Sequence, residues 1–496
     1  MPKIDISERD LTQATGTVGT DIVFIPGFIS NQYKYTEVDR KEWKKSDYKG
    51  TELYIRDSSK VTGYKKIDKA DWNQIDTKAT TYERSDITTT KIEIPVLCTS
   101  IREFESIFGK DPYTFTEAIT EHSIEIGDID RSYIMAKELL SEGMPIYYFA
   151  VKPSDKTETG QNLIEYLLKK VSDNLSELLD VGEYSIKYIT TGGYSNFKDG
   201  EASSSDISAE LVKISANRGD SISIIEASSA LSIDPNDATG LFKKICAADS
   251  AFNDGGEFAT IFAAWGYYNL TQSYYCDYYT KNPPVEDVRV YNKIKTSLMP
   301  ACFGYLLDLA VNIKTSPNWL AMAGTTRGIV PRLIRLATAK RLSNTIANDY
   351  QPTKAVDGKR AINAITDIKP YGLTIWGNRT LKTIEEDGLT ATNFLNTRNM
   401  ISDIKKVAYR AAKAQLFEQN SEVLWLNFKA EVSPFLEQLK KGNGISDYKL
   451  LKLDTKYDGS SLGKEEFACA IKIFPMYAVE SFEITVVVSD NDVSVG

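Results

Sequence analysis

The chain has 496 residues, 42% of them apolar, and its 59 basic and 68 acidic side chains leave a formal charge of −9. That is apolar material for a sizeable core in roughly two to four domains, it excludes a disordered chain, and the mild acidic balance argues against a dedicated nucleic-acid binder. The single histidine, His122, cannot build a multi-histidine metal or acid–base site, and five scattered cysteines without a C-x-x-C pair argue against a zinc site or a disulfide framework.

Met1-Pro2-Lys3-Ile4-Asp5 lacks the charged and apolar regions of an export signal. The longest apolar stretch, Leu298 to Val311, is broken by Pro300 and Asp308 and falls short of the roughly 20 residues a membrane helix needs. The expectation is a soluble protein made in a cytosol, without direct membrane insertion.

Residues 1–20 read as an arm: Ile4 and Ile6 alternate with Asp5 and Ser7, and a Thr/Gly-rich tether follows. Asp21 to Phe28 is a continuous apolar run closed by Pro26-Gly27, the pattern of a strand buried on both faces. Residues 31–90 turn to Lys, Asp, Tyr and Thr and read as a surface insertion with little core of its own. Ile94 to Ser100 is a strand ending in an N-cap, followed by a helical turn with Phe104 and Phe108 at i, i+4 and a stop at Gly109. Tyr133 to Leu140 reads as a helix stopped by Gly143, and Pro145 to Lys152 as a strand.

From Tyr184 to Val311 the pattern alternates: strand at Ile186–Thr190, helix around Glu210–Asn217, strand at Ile222–Glu226, helix around Asp237–Ala247, strand at Phe258–Tyr268. Alternation argues for a mostly parallel, doubly wound α/β sheet. From Ala361 a mixed α+β module follows, with a strand ending at Trp376-Gly377 and helices over Asn396–Gln419 and Ser421–Lys441. Two strands of period 2 close it: Phe467, Cys469, Ile471 and Ile473 on one face, then Phe482, Ile484, Val486 and Val488 on one face.

Motifs for chemistry are weak. Thr191-Gly192-Gly193-Tyr194 follows a strand but matches no phosphate-loop pattern, and reads as a tight turn. Ser203 to Ser205 and Ser228-Ser229 have no imidazole to activate them except His122, itself read as a surface-loop residue. Trp376 reads as a core anchor and Arg379 as a donor to carbonyls at a strand end. On the helix from Asn396, Ile401, Ile404, Ala408 and Ala411 form an apolar stripe, while Lys406, Arg410 and Lys413 at i, i+4, i+7 form a basic one suited to an acidic partner.

In order along the chain, several blocks resemble contractile-tail sheath proteins of bacteriophages and related injection machines. Pro95 to Ser100 with Phe104, Phe108 and Gly109 looks like the family's "P-x-x-x-x-S then F…FG" element, and Ser316 to Gly324 with Arg327-Gly328 like its "aP-x-x-x-x-aG-x-x-rG" turn. Ala361 to Ile365 and Tyr371 to Leu381 are similar to "iN-x-i…G-x-x-iWG-x-RTL". Leu395 to Met400 resembles "vnvRRl" with Asn399 for the second arginine, Phe417 to Asn420 resembles "FEPN" with Gln419 for proline, and Phe474 to Phe482 resembles the closing "aP-x-x-p-x-E". The match covers residues 21–30 and 94–488 and is strongest after 316.

The resemblance implies an α/β and α+β multidomain protein: an arm at 1–20, an α+β region at 21–183 carrying the insertion, a subtilisin-like α/β domain at 184–360, a C-terminal sheath domain at 361–481 facing an inner tube, and an arm at 482–496. It implies a structural subunit, without cofactor or nucleic acid, of stacked and usually hexameric rings in a virion tail assembled in the host cytoplasm. Its partners would be copies of itself, the inner tube protein, the baseplate and the tail terminator. Strand exchange through Ile4–Ser7 and Phe482–Val488 would join the copies, and Lys406, Arg410 and Lys413 would face the tube. Two other readings stay open at this point: a hydrolase-like α/β enzyme with an unrecognised site, and a tail tube or capsid subunit.

Overall fold

The computed structural model describes residues 21–28, 33–38, 53–56, 64–66, 81–86, 93–109, 131–151, 161–174, 178–179, 181–194, 207–226, 252, 255–279, 289–337, 361–384, 388–456 and 459–479. The apolar run at the start is strand β1 (Val23–Phe28). The polar stretch after it supplies β2 (Tyr33–Val38), β3 (Leu53–Arg56), β4 (Tyr64–Lys66) and β5 (Thr81–Asp86), which pair antiparallel in the order β2-β5-β3-β4. Few aliphatics there suggested only an insertion; backbone pairing makes it a sheet in its own right.

β6 (Pro95–Cys98) leads into α1 (Ile101–Phe108). Ser100 Oγ accepts the Glu103 N–H at 3.3 Å as its N-cap, Gly109 ends it at φ 96°, and the Phe104 and Phe108 rings meet at a tilt with centroids 5.2 Å apart. Then come α2 (Arg131–Ser141), β7 (Ile146–Val151), α3 (Gln161–Asp173), β8 (Tyr188–Thr190), α4 (Ile207–Arg218), β9 (Ile222–Glu226) and β10 (Ala259–Ala263). The expected helix at 237–247 lies outside the described residues.

The expected single strand at 258–268 is two. β10 stops, and β11 (Gly266–Tyr279) sets out in a different sheet, paired with β12 (Arg289–Met299). Pro300 then starts α5 (Ala301–Asn312), a short α6 (Gly324–Arg327) follows, and β13 (Leu333–Leu336) pairs with the inner end of β11. β14 (Asn363–Ile368) and β15 (Gly372–Trp376) form a hairpin. Helices α7 (Leu395–Ala414) and α8 (Glu422–Lys441) precede the hairpin of β16 (Ile445–Leu453) and β17 (Ala468–Pro475).

The main sheet has eight strands in the order β15-β14-β10-β9-β8-β1-β7-β6. From β14 to β7 neighbouring strands are parallel, and the outermost strands, β15 and β6, are antiparallel. The period-2 rule is visible in β7: Ile146, Tyr148 and Ala150 pack with Tyr133, Ile134 and Leu306 from α2 and α5, whereas Tyr147, Phe149 and Val151 pack with Leu167, Leu211 and Ile214 from α3 and α4. Helices therefore cover both faces. The stretches expected as separate domains, 21–183, 184–360 and 361–481, each contribute strands to this one sheet. Parallel pairing joins strands remote in sequence, so the boundaries expected at 183 and 360 fall inside a single body.

α7, α8 and the β16–β17 hairpin share a second core, in which Met400, Ile404, Val407 and Ala411 meet Phe428, Val432, Leu436 and Leu439. Among the described residues no helix is long and apolar enough to cross a membrane.

Candidate functional site

The expected exchange strands, Ile4–Ser7 and Phe482–Val488, and also His122, lie outside the described residues. What the structure shows is the body they would leave from and join. β16 and β17 pair from Ile445↔Pro475 to Leu453↔Ala468. Tyr448, Leu450, Phe467, Cys469, Ile471 and Ile473 lean on the core of α8 and are only partly covered, the face that alternation predicts. Among the described residues no third strand pairs with this hairpin. Each strand thus keeps an outer edge with roughly every second N–H and C=O free for pairing. Beyond β17 the Met476 N–H reaches Gly444 O at 3.0 Å, and Met476, Tyr477 and Val479 run exposed toward residue 482.

The expected basic stripe does not survive intact. Arg410 and Lys413 are exposed, but Lys406 is 3% exposed, with its Nζ 3.4 Å from Ile186 O. Burial pushes its ammonium down to about 8, with Asp220 the strongest opposing charge. The reason is geometric. α7 sets Arg398, Asp403, Lys405 and Lys406 against residues just before β8 and β9, whereas Arg410 and Lys413, one to two turns on, are exposed.

The seam under α7 is built from charge. Lys187, just before β8, sits 2.8 Å from Asp21 and 2.6 Å from Asp403 of α7; burial alone would lower its pKa, and the two carboxylates outweigh this and raise it. Asn318 Nδ2 donates to Asp21 at 2.9 Å, and Lys405 Nζ and Arg398 Nη2 both donate to Gly219 O at 3.1 Å. Arg218 and Asp220 pair at 3.0 Å, fully buried. Asp21, Lys187 and Asp220 precede β1, β8 and β9, so the seam occupies the amino ends of parallel strands.

Ligands in open α/β sheets gather at the other, carboxyl end. Among the described residues, the part of that end around β1 and β8 is packed. Gly192 and Gly193 turn at φ 70° and 90°; a Cβ on Gly192 would lie 2.7 Å from Pro26 O, and one on Gly27 would collide with the Ser132 and Tyr148 hydroxyls. Tyr194 and Ser132 hydroxyls meet at 2.8 Å, Tyr148 donates to Phe28 O at 2.9 Å, and Thr191 donates to the buried Glu226 carboxylate. Thr190 Oγ1 lies 3.4 Å from Cys302 Sγ, and burial pushes that thiol well up, away from the reactive thiolate. Among the described residues no His, Cys, Asp and Glu cluster could hold a metal ion.

The Asn363 and Trp376–Thr380 block is a joint. Asn363 Nδ2 donates to Arg379 O at 2.8 Å and to Thr260 Oγ1 at 2.7 Å, while its Oδ1 accepts the Arg379 N–H at 2.8 Å. Arg379 is buried and lays its guanidinium 4.1 Å over the Phe394 ring. Trp376, expected as a core anchor, is only half-buried because β15 is an edge strand. The anchoring tryptophan is Trp319: it packs against Phe435, donates Nε1–H to Gly442 O at 3.1 Å, and its carbonyl accepts from Asn396. Its only sequence signal was the motif around it.

Residues 390–489 match the family model of the phage tail sheath C-terminal domain. A tail sheath protein of Vibrio phage KVP40 is 26% identical over 179 residues, 36% of this chain and 25% of that protein. One of Enterobacteria phage T4 is 25% identical over 164 residues, 33% of this chain and 23% of that protein. The chain thus spans about a quarter of the length of these relatives. Among solved structures, a chain of the anti-feeding prophage baseplate matches with TM-score 0.52 at 10% identity over 99% of both chains. The same prophage's contracted helical sheath matches with TM-score 0.50 at 10% identity over 98% of both chains. These likenesses show the fold, and the resemblance to sheath proteins read from the sequence is borne out.

Proposed function

We propose that this chain, whose residues 390–489 carry a phage tail sheath C-terminal domain, is the structural subunit of a contractile tail sheath: it polymerises as stacked rings around an inner tube and contracts to drive that tube through a bacterial envelope. The observation that carries the reading is the β16–β17 hairpin, half-covered on α8, without a third strand among the described residues, and followed within the same family match by a segment of strand pattern, Phe482–Val488. A strand lent by a neighbouring copy would complete the cover and pair the edge. Ile4–Ser7 is the second lent strand.

Partners follow from the same reading: other copies of this chain, the baseplate, the terminator, and an inner tube approached by Arg410 and Lys413. The particle is a virion tail or a related injection machine, assembled in the host cytoplasm. Contraction draws on the metastable packing reached at assembly, a two-state rearrangement that needs no fuel. The α/β body is subtilisin-like in this reading, supported by its parallel sheet with helices on both faces. It works as a frame, and the packing of the described residues at the carboxyl ends of β1 and β8 favours this over the hydrolase reading. The test is removal of residues 482–496: the truncated chain should fold and stay unpolymerised in negative-stain micrographs, and tubes of normal length would refute the proposal.

A further inference from the structure

The β16–β17 hairpin has a second face. Tyr448, Leu450, Cys469, Ile471 and Ile473 lean on the core of α8, so the residues between them point away from it. The register sets these outward residues opposite one another as Asp447↔Phe474, Lys449↔Lys472 and Leu451↔Ala470. Lys449 and Lys472 are exposed, and so are Leu451 and Phe474.

Two ammonium groups directly opposite each other on antiparallel strands repel. Three nearby lysines are answered by acids: Lys440 meets Asp447 at 2.9 Å, Lys452 meets Glu422 at 2.8 Å and Lys456 meets Glu466 at 2.7 Å. Asp447, on the same face as Lys449, is thereby taken by Lys440. Neither Lys449 nor Lys472 has an ion pair among the described residues, and Lys472 leans over the Phe474 ring at 5.4 Å. The outer face thus holds an unanswered pair of positive charges in a chain whose formal charge is −9.

The sequence supplies carboxylates that fit. Residues 489–496 follow Phe482–Val488 directly and hold Asp490 and Asp492 with no basic residue among them. Residues i and i+2 of an extended chain share a side at about 6.7 Å, close to the roughly 5 Å between opposed positions on paired strands. Eight extended residues span about 26 Å, the length of the eight-residue β17. Once Phe482–Val488 lies along an edge of the hairpin, the residues after it can therefore reach both lysines. Tethering to the lent strand also raises their local concentration above that of a free anion.

We infer that residues 489–496 of a neighbouring copy cross the outer face of this hairpin, with Asp490 and Asp492 paired to Lys449 and Lys472. This clasp rests on the strand exchange proposed for Phe482–Val488 and holds the lent strand in place by charge. The test uses the full chain at low salt and reads, by pelleting, the lowest concentration that forms polymer. Asp490→Lys with Asp492→Lys should raise that concentration about tenfold, the scale of two exposed ion pairs, and so should Lys449→Asp with Lys472→Asp. All four changes together should return it to within about threefold of wild type, a rescue that impaired folding cannot give. Wild-type assembly in either pair of variants, or no rescue in the fourfold variant, would overturn the clasp and leave the strand exchange standing. A carbodiimide cross-link from Asp490 or Asp492 to Lys449 or Lys472 in unpolymerised protein would also overturn it, by placing the segment on its own chain. Failure of the wild-type chain to polymerise would instead sink the strand exchange, and the clasp with it.

Discussion

Replacing Lys406 by Met separates the seam reading of this residue from the tube-facing one. Lys406 is buried, and its ammonium is held down at about 8 against 10.5 in the unfolded chain. A lysine whose folded pKa lies below its unfolded value holds fewer protons folded than unfolded between those limits. Its cost is full below pH 8 and is relieved as pH climbs toward 10.5. At about 1.4 kcal/mol per pH unit the relief amounts to roughly 3 kcal/mol. Wild type should therefore gain about that much stability relative to Lys406→Met between pH 8 and 10.5, read from urea midpoints of both proteins at each pH. Other titrating groups are common to both and cancel in the difference. Parallel stability curves would refute the buried placement of Lys406.

Asp308 on α5 is buried, accepts from Asn312 Nδ2 at 2.9 Å, and is pushed up to about 8 by burial. A raised carboxylate loses stability as pH rises, so the advantage of Asp308→Asn should grow by about 1.4 kcal/mol per pH unit from pH 4 to 8; an advantage independent of pH would contradict it. Arg410→Glu with Lys413→Glu, both exposed, should leave the thermal midpoint unmoved, within about 0.5 kcal/mol, yet weaken recruitment to purified inner tubes in co-sedimentation. Trp319→Ala should cost about 3–5 kcal/mol, because one side chain both fills the C-terminal core and holds Gly442; a denaturant midpoint close to wild type would refute that role.

Local signals were legible in the sequence wherever a short stretch carried its own physics. Ser100 and Gly109 bracket α1, Ser421 and Gly442 bracket α8, and Phe467 to Ile473 shows its core-facing, partly covered side by alternation. Phe417 shows the limit: the expected helix to Gln419 stops at Ala414, and Phe417 stands at φ 67° and 84% exposed in the turn after it, though no residue there breaks a helix by propensity. The long β11–β12 hairpin was missed because Tyr, Asn, Ser and Thr fill it without a hydrophobic period. The candidate site reads in the sequence as a pair of strand patterns, which lie outside the described residues, and a basic stripe. Which half of the stripe is covered depends on where α7 crosses β8, a long-range fact that helical spacing does not contain.

In the proposed sheath, copies of this chain are joined through their C-terminal strands on β16–β17. Isotopically heavy and light protein, co-assembled in equal parts and treated with a carbodiimide, tests it directly. Glu483, Asp490 and Asp492 supply the carboxylates of the arm, and Lys449, Lys452 and Lys472 the amines of the hairpin. Heavy–light cross-linked peptides between the two groups are expected, in roughly the half share that random mixing gives. Cross-links confined to heavy–heavy and light–light pairs would show that each arm stays on its own chain and would contradict it.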